Sequence, residues 1–157
     1  MGPTYPKEEI FSGKLRELAR QQQQTAAQFR RYEQADLQQI RLELEQLQQE
    51  EADAERRLRQ SADTGRSPAV AALSRAQLDY LRRVRIILQE KLPGYLHSEG
   101  ADALEDQAEA ACLYGEYAMD AAAQAIHHAL FAALRAKELR MRCQEQASSN
   151  HTEEEST

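Results

Sequence analysis

YAMDAAAQAIHHALFAALRAKEL, residues 117–139, places alanine at nearly every position where a helix would normally bury a leucine. The pattern extends in both directions. From Leu104 the chain steps by four and three residues through Ala108, Ala111, Gly115, Ala118, Ala122, Ala125, Ala129, Ala132, Ala136, Leu139 and Cys143. A four-three alternation is one face of a heptad helix. The run from Ala108 to Ala136 holds only Ala and Gly, so a facing helix can come closer than the usual spacing of roughly 8–10 Å.

Ala is also the best helix former, and that alone favours it anywhere in a helix. The neighbouring residues argue for a packing face instead. Cys112, Met119 and Ile126 recur every seven residues along one side, and Leu130, Phe131 and Leu134 widen the apolar surface further on. The face resembles alanine-type antiparallel coiled coils, a packing class that carries no activity. Asp102, Glu105, Asp106 and Glu109 crowd the start of this helix, and Arg135, Lys137, Arg140 and Arg142 crowd its end. Each group opposes the local partial charge of the helix dipole.

Upstream, breakers divide the chain. QSADTGRSPA, residues 60–69, offers Gly65 for a left-handed turn, Ser67 as N-cap and Pro68 at the first helical position. LPGYLHSEGAD, residues 92–102, ends a second helix at Pro93, Gly94 and Gly100 and begins a third with Asp102 and its capping-box partner Glu105. Before the first break, Leu37, Ile40, Leu44, Leu47, Glu51, Ala54 and Leu58 keep a heptad. Glu51 is read there as a register-setting polar residue or as the point where the seam becomes exposed. Leu15, Leu18, Gln22, Thr25, Phe29 and Tyr32 keep another heptad in a different frame. The five-residue step between Tyr32 and Leu37 reads as a phase slip inside one helix, with a break near Gln34 as the alternative. The glutamine run 21–24 suits a solvated helical face.

These readings give an all-α fold. They predict an elongated antiparallel three-helix bundle or coiled coil with helices at about 7–62, 68–92 and 102–147, forming one domain over 1–147. Residues 148–157 read as a disordered acidic tail. Helices of this length make a rod, and the short second helix leaves apolar stripe for another chain to close.

The chain has 157 residues and a net charge of −6. Residues 1–62, 63–100 and 101–157 carry −1, +2 and −7 respectively. Only the middle is basic, through Arg75, Arg82, Arg83 and Arg85, which argues against nucleic acid as a partner. Cys112 and Cys143 lie roughly 46 Å apart along one helix and so cannot bridge each other. The N-terminus lacks a signal-peptide core and no run is long and apolar enough for a membrane span, so a cytoplasmic location is expected.

His127 and His128 are adjacent, about 100° apart on a helix, and do not converge on one metal. Neither lies three residues after a Glu. No phosphate loop, nucleophile elbow or Cys-x-x-Cys is present. The sequence therefore points to no enzyme, cofactor or metal. It points to a non-catalytic interaction or scaffold protein, an adaptor or chaperone-like binder, that self-associates as a dimer. Its helix-packing residues would be Leu37, Ile40, Leu44, Leu47 and Leu58 together with the seam from Ala108 to Ala136. The competing reading is a four-helix bundle that binds a ligand or metal, or catalyses, around His127 and His128.

Overall fold

The computed structural model describes residues 7–65 and 67–154, and every regular element among them is helical. In chain order these are α1 (Lys7–Tyr32), α2 (Leu37–Thr64), α3 (Pro68–Ile86), a π-helical turn (Ile87–Lys91), α4 (Leu92–Leu96) and α5 (Ala103–Glu154). The chain is all-α, but the single helix expected over 7–62 is two helices, so the chain has more than the three helices the sequence predicts.

The break falls beside Gln34, and its cause is local. Asp36 adopts an extended conformation and caps α2, accepting from the Gln39 amide at 2.9 Å, while the Gln39 side chain accepts from the Asp36 amide at 3.2 Å. This reciprocal box satisfies two donors that a helix start leaves orphaned. The Ala35 amide donates to the Tyr32 carbonyl, closing the turn. The five-residue step is thus a change of helix, not a slip within one.

The second helix also departs from its expected end. It runs through the π turn and past Pro93 to Leu96. Proline lacks an amide donor and crowds the carbonyl four residues back. The chain answers with one wider turn, in which the Leu92 amide donates to the Ile87 carbonyl five residues back. Gly100 then turns the chain at φ +88, and Asp102 and Glu105 form the expected capping pair at 2.8 and 3.3 Å. At the other end, α5 continues through Ser148, Ser149 and Asn150 to Glu154. The hydroxyls of Ser148, Ser149 and Thr152 turn inward to the carbonyls four residues back, a bond that lets these residues sit within a helix. Residues 155–157 of the expected tail lie outside the described residues.

The chain divides into two units. The middle unit, Arg30–Tyr117, contains α2, α3, the π turn, α4 and the start of α5. Here α2 and α3 run antiparallel. Arg75 reaches back to the Ala62 carbonyl at 2.8 Å, and Arg85, later on α3, reaches Glu55, earlier on α2, at 2.9 Å. Small residues set their contact: Ala62, Ala71 and Ser74 are buried. Gly65 does not take the left-handed turn expected of it, since its φ is −59. It is glycine for another reason, because a Cβ there would lie 2.2 Å from the Ser61 carbonyl oxygen.

The other unit, Met1–Phe29 with Ala118–Thr157, comprises most of α1 and the rest of α5. Phe11, Leu15 and Leu18 are half-buried on α1, as are Ile126, Ala129, Ala133 and Ala136 on α5. Phe29 and Phe131 stand exposed.

Candidate functional site

The middle unit holds an apolar cleft of about 280 Å³. Val84 from α3, Ile87 from the π turn, Leu92 from α4 and Leu113, Tyr114 and Tyr117 from α5 line it. The extra residue in the wider turn advances Leu92 relative to Ile87 beyond the phase of a regular helix. In the same unit, His97 Nδ1 and Asp106 Oδ2 lie 2.6 Å apart. Asp106 is buried and His97 exposed, so the pair ties the chain after α4 to the first turn of α5. Burial pushes the Tyr114 phenol above its ordinary range, helped by the nearby Tyr80, Glu51 and Tyr117. No charged side chain lines the cleft, so it suits carbon surface.

Charge is arranged elsewhere in the unit as straps. Arg85 and then Arg59 engage the Glu55 carboxylate. The Arg85 hydrogen bond is the largest cause holding that carboxyl below the usual range, and it raises Arg85 in return. The Tyr32 phenol is raised, first by its hydrogen bond to Glu43 and then by burial, which links the end of α1 to α2. Of the four arginines that make the middle of the chain basic, Arg75 and Arg85 are thus engaged in holding α2 to α3.

The expected packing residues fall out unevenly. On α2, Ile40 and Leu58 are half-buried, while Leu37, Leu44 and Leu47 are exposed, Leu44 by 51%. Glu51 is exposed. On α5, the side chains turned into the middle unit are Asp106, Ala110 and Tyr114, with Ala110 only 1% exposed. None of these belongs to the alanine seam. Ala108 and Ala111 are exposed and Gly115 is half-buried. At 100° per residue they lie on the side of the helix away from Asp106 and Ala110. In the other unit Ala118, Ala129 and Ala136 are half-buried, whereas Ala122, Ala125 and Ala132 are exposed.

His127 and His128 are both exposed beside a shallow hollow that Ala121, Gln124, Ala125 and Phe131 complete, and His128 stacks on Phe131 at 6.3 Å between ring centres. Among the described residues no group of three or more His, Cys, Asp or Glu side chains is placed to hold a metal ion. Cys112 and Cys143 are exposed free thiols. No helix among the described residues is long and apolar enough to cross a membrane.

Two features escape sequence reasoning. The cleft needs the π turn, which no periodicity announces. Asp106 reads as one more dipole-compensating acid, and only the fold of 97–102 brings His97 to it. The chain matches no protein-family model, no curated protein and no solved structure.

Proposed function

We propose that this chain is a non-catalytic interaction or scaffold protein of the cytoplasm, an adaptor or chaperone-like binder, whose helices pair with a second copy through coiled-coil faces. One observation carries the reading. Among the described residues the buried hydrophobic ones are three alanines, Ala62, Ala71 and Ala110, while 21 large hydrophobic side chains stand exposed. Burying one Leu or Phe side chain fully is worth about 1.5–3 kcal/mol. Exposed apolar surface that clusters on helix faces marks sites of association. Leu37, Leu44 and Leu47 on α2, and Leu130, Phe131 and Leu134 on α5, are such faces. The elongated antiparallel bundle expected from the sequence becomes a property of the assembly under this reading, completed by helices from two copies.

Light scattering coupled to size exclusion, run across a hundredfold range of concentration, tests it. The expected mass is twice 17.9 kDa. A monomer throughout that range would sink the proposal.

A further inference from the structure

The cleft lies wholly within the middle unit, since its lining runs from Val84 to Tyr117. Val84, Leu92 and Tyr114 are half-buried there, and Ile87, Leu113 and Tyr117 are exposed. Only carbon surface faces the cleft, that of the two tyrosines included. Water held in a protein interior needs two to four polar partners. Water in this cleft finds none on the protein, and displacing such poorly ordered water by an apolar group gains affinity.

Size and chemistry select the occupant. An apolar cavity of about 150 Å³ takes one benzene ring. On that scale the 280 Å³ of the cleft takes about eleven carbon atoms, the body of a two-ring aromatic molecule. No single side chain of a second copy fills that space, because the chain has no Trp and its largest apolar side chains are the single rings of Phe and Tyr. A charged solute would give up hydration on entry with nothing in the lining to replace it. Tyr114 and Tyr117 offer rings on which an aromatic solute packs offset or edge to face, an arrangement worth more than the area it buries. We propose that the cleft is a binding site for a neutral two-ring aromatic molecule. The site goes beyond the self-association proposed above and does not depend on it.

Isothermal titration calorimetry of the full chain with 2-naphthol, a neutral two-ring probe at pH 7, tests the site. One molecule per chain is expected, with a negative heat-capacity change. Its affinity should exceed that of phenol at least tenfold, because a single ring leaves part of the cleft empty. Tyr117→Ser removes a ring that is 61% exposed, and Val84→Phe fills the cleft from within. Each is expected to weaken 2-naphthol at least tenfold, whereas Phe131→Ser, in the other unit, leaves it unchanged. Circular dichroism checks that helix content is kept, and Tyr117→Ser carries the test alone if Val84→Phe does not fold. An absence of binding, binding without saturation, or wild-type affinity in either folded cleft variant overturns the site. So does an affinity that falls as the chain associates, because a second copy then closes the cleft. A chain that binds 2-naphthol as expected and stays monomeric throughout overturns the self-association alone.

Discussion

Glu55 is the side chain on which the α2–α3 pairing turns most directly, because it takes one arginine from its own helix and one from the next. Its carboxyl is held below the usual range, first by the Arg85 hydrogen bond. A carboxylate depressed in the folded state stabilises the fold above its unfolded pKa, about 4.3, and loses that contribution as pH falls through the lower folded value. Urea unfolding between pH 7 and pH 3 should therefore show an acid-side loss of stability that shrinks in Glu55→Gln, with the variant less stable than wild type at pH 7. Equal pH dependence in the two proteins would remove the strap from the account. The sequence displays these residues but not their pairing: Arg82, Arg83 and Arg85 look equivalent along the chain, and only the antiparallel register aims Arg85 at Glu55. Gly65 shows the same limit. Its glycine is legible as a turn signal, yet the requirement is the 2.2 Å approach of the Ser61 carbonyl rather than a positive φ.

At the scale of elements, most boundaries can be read from the sequence because they have local causes. Pro68 at the start of α3 and Asp102 with Glu105 at the start of α5 stand where their chemistry places them. The start of α2 also has a local cause, in Asp36 and Gln39, but the heptads on either side invite a continuous helix. Capping decides, since two satisfied backbone donors and a turn at Ala35 outweigh a phase slip. Asp36→Ala should cost about 1 kcal/mol, measured by chemical denaturation, while Asp36→Asn should cost little. An alanine variant as stable as wild type, with unchanged helix content, would mean that α1 and α2 join without the cap. The alanine seam marks where periodicity stops being enough. Four-three spacing identifies a face but not its occupant, and in the middle unit α5 turns Asp106, Ala110 and Tyr114 inward, leaving Ala108 and Ala111 outside. Helix C-terminal extension past Ser148 has a similar origin, because serine and threonine hydroxyls that bond back along the helix carry no mark in the sequence.

For the whole molecule, the proposed association and stability are one quantity. A chain whose buried hydrophobic residues, among those described, are alanines gains little from burial by itself. If copies close one another's apolar faces, the folded dimer is favoured by mass action and the melting temperature must rise with concentration. Each tenfold increase in concentration is worth about 1.4 kcal/mol of association free energy. For a domain of roughly 150 residues, a 1 kcal/mol change moves Tm by about 2–4 °C. Melting followed by circular dichroism from 1 µM to 100 µM, on the order of two such tenfold steps, is therefore expected to show a rise of several degrees. Leu44→Lys, which charges an exposed position on α2 without removing a buried contact, separates the surfaces involved. If α2 joins in the assembly, the variant loses the concentration dependence and melts like the dilute wild type. If only the α5 face around Leu130, Phe131 and Leu134 does, the variant keeps it. A wild-type Tm independent of concentration would mean that each chain folds to its full stability alone, and that its exposed leucines and aromatics await a partner of a different sequence.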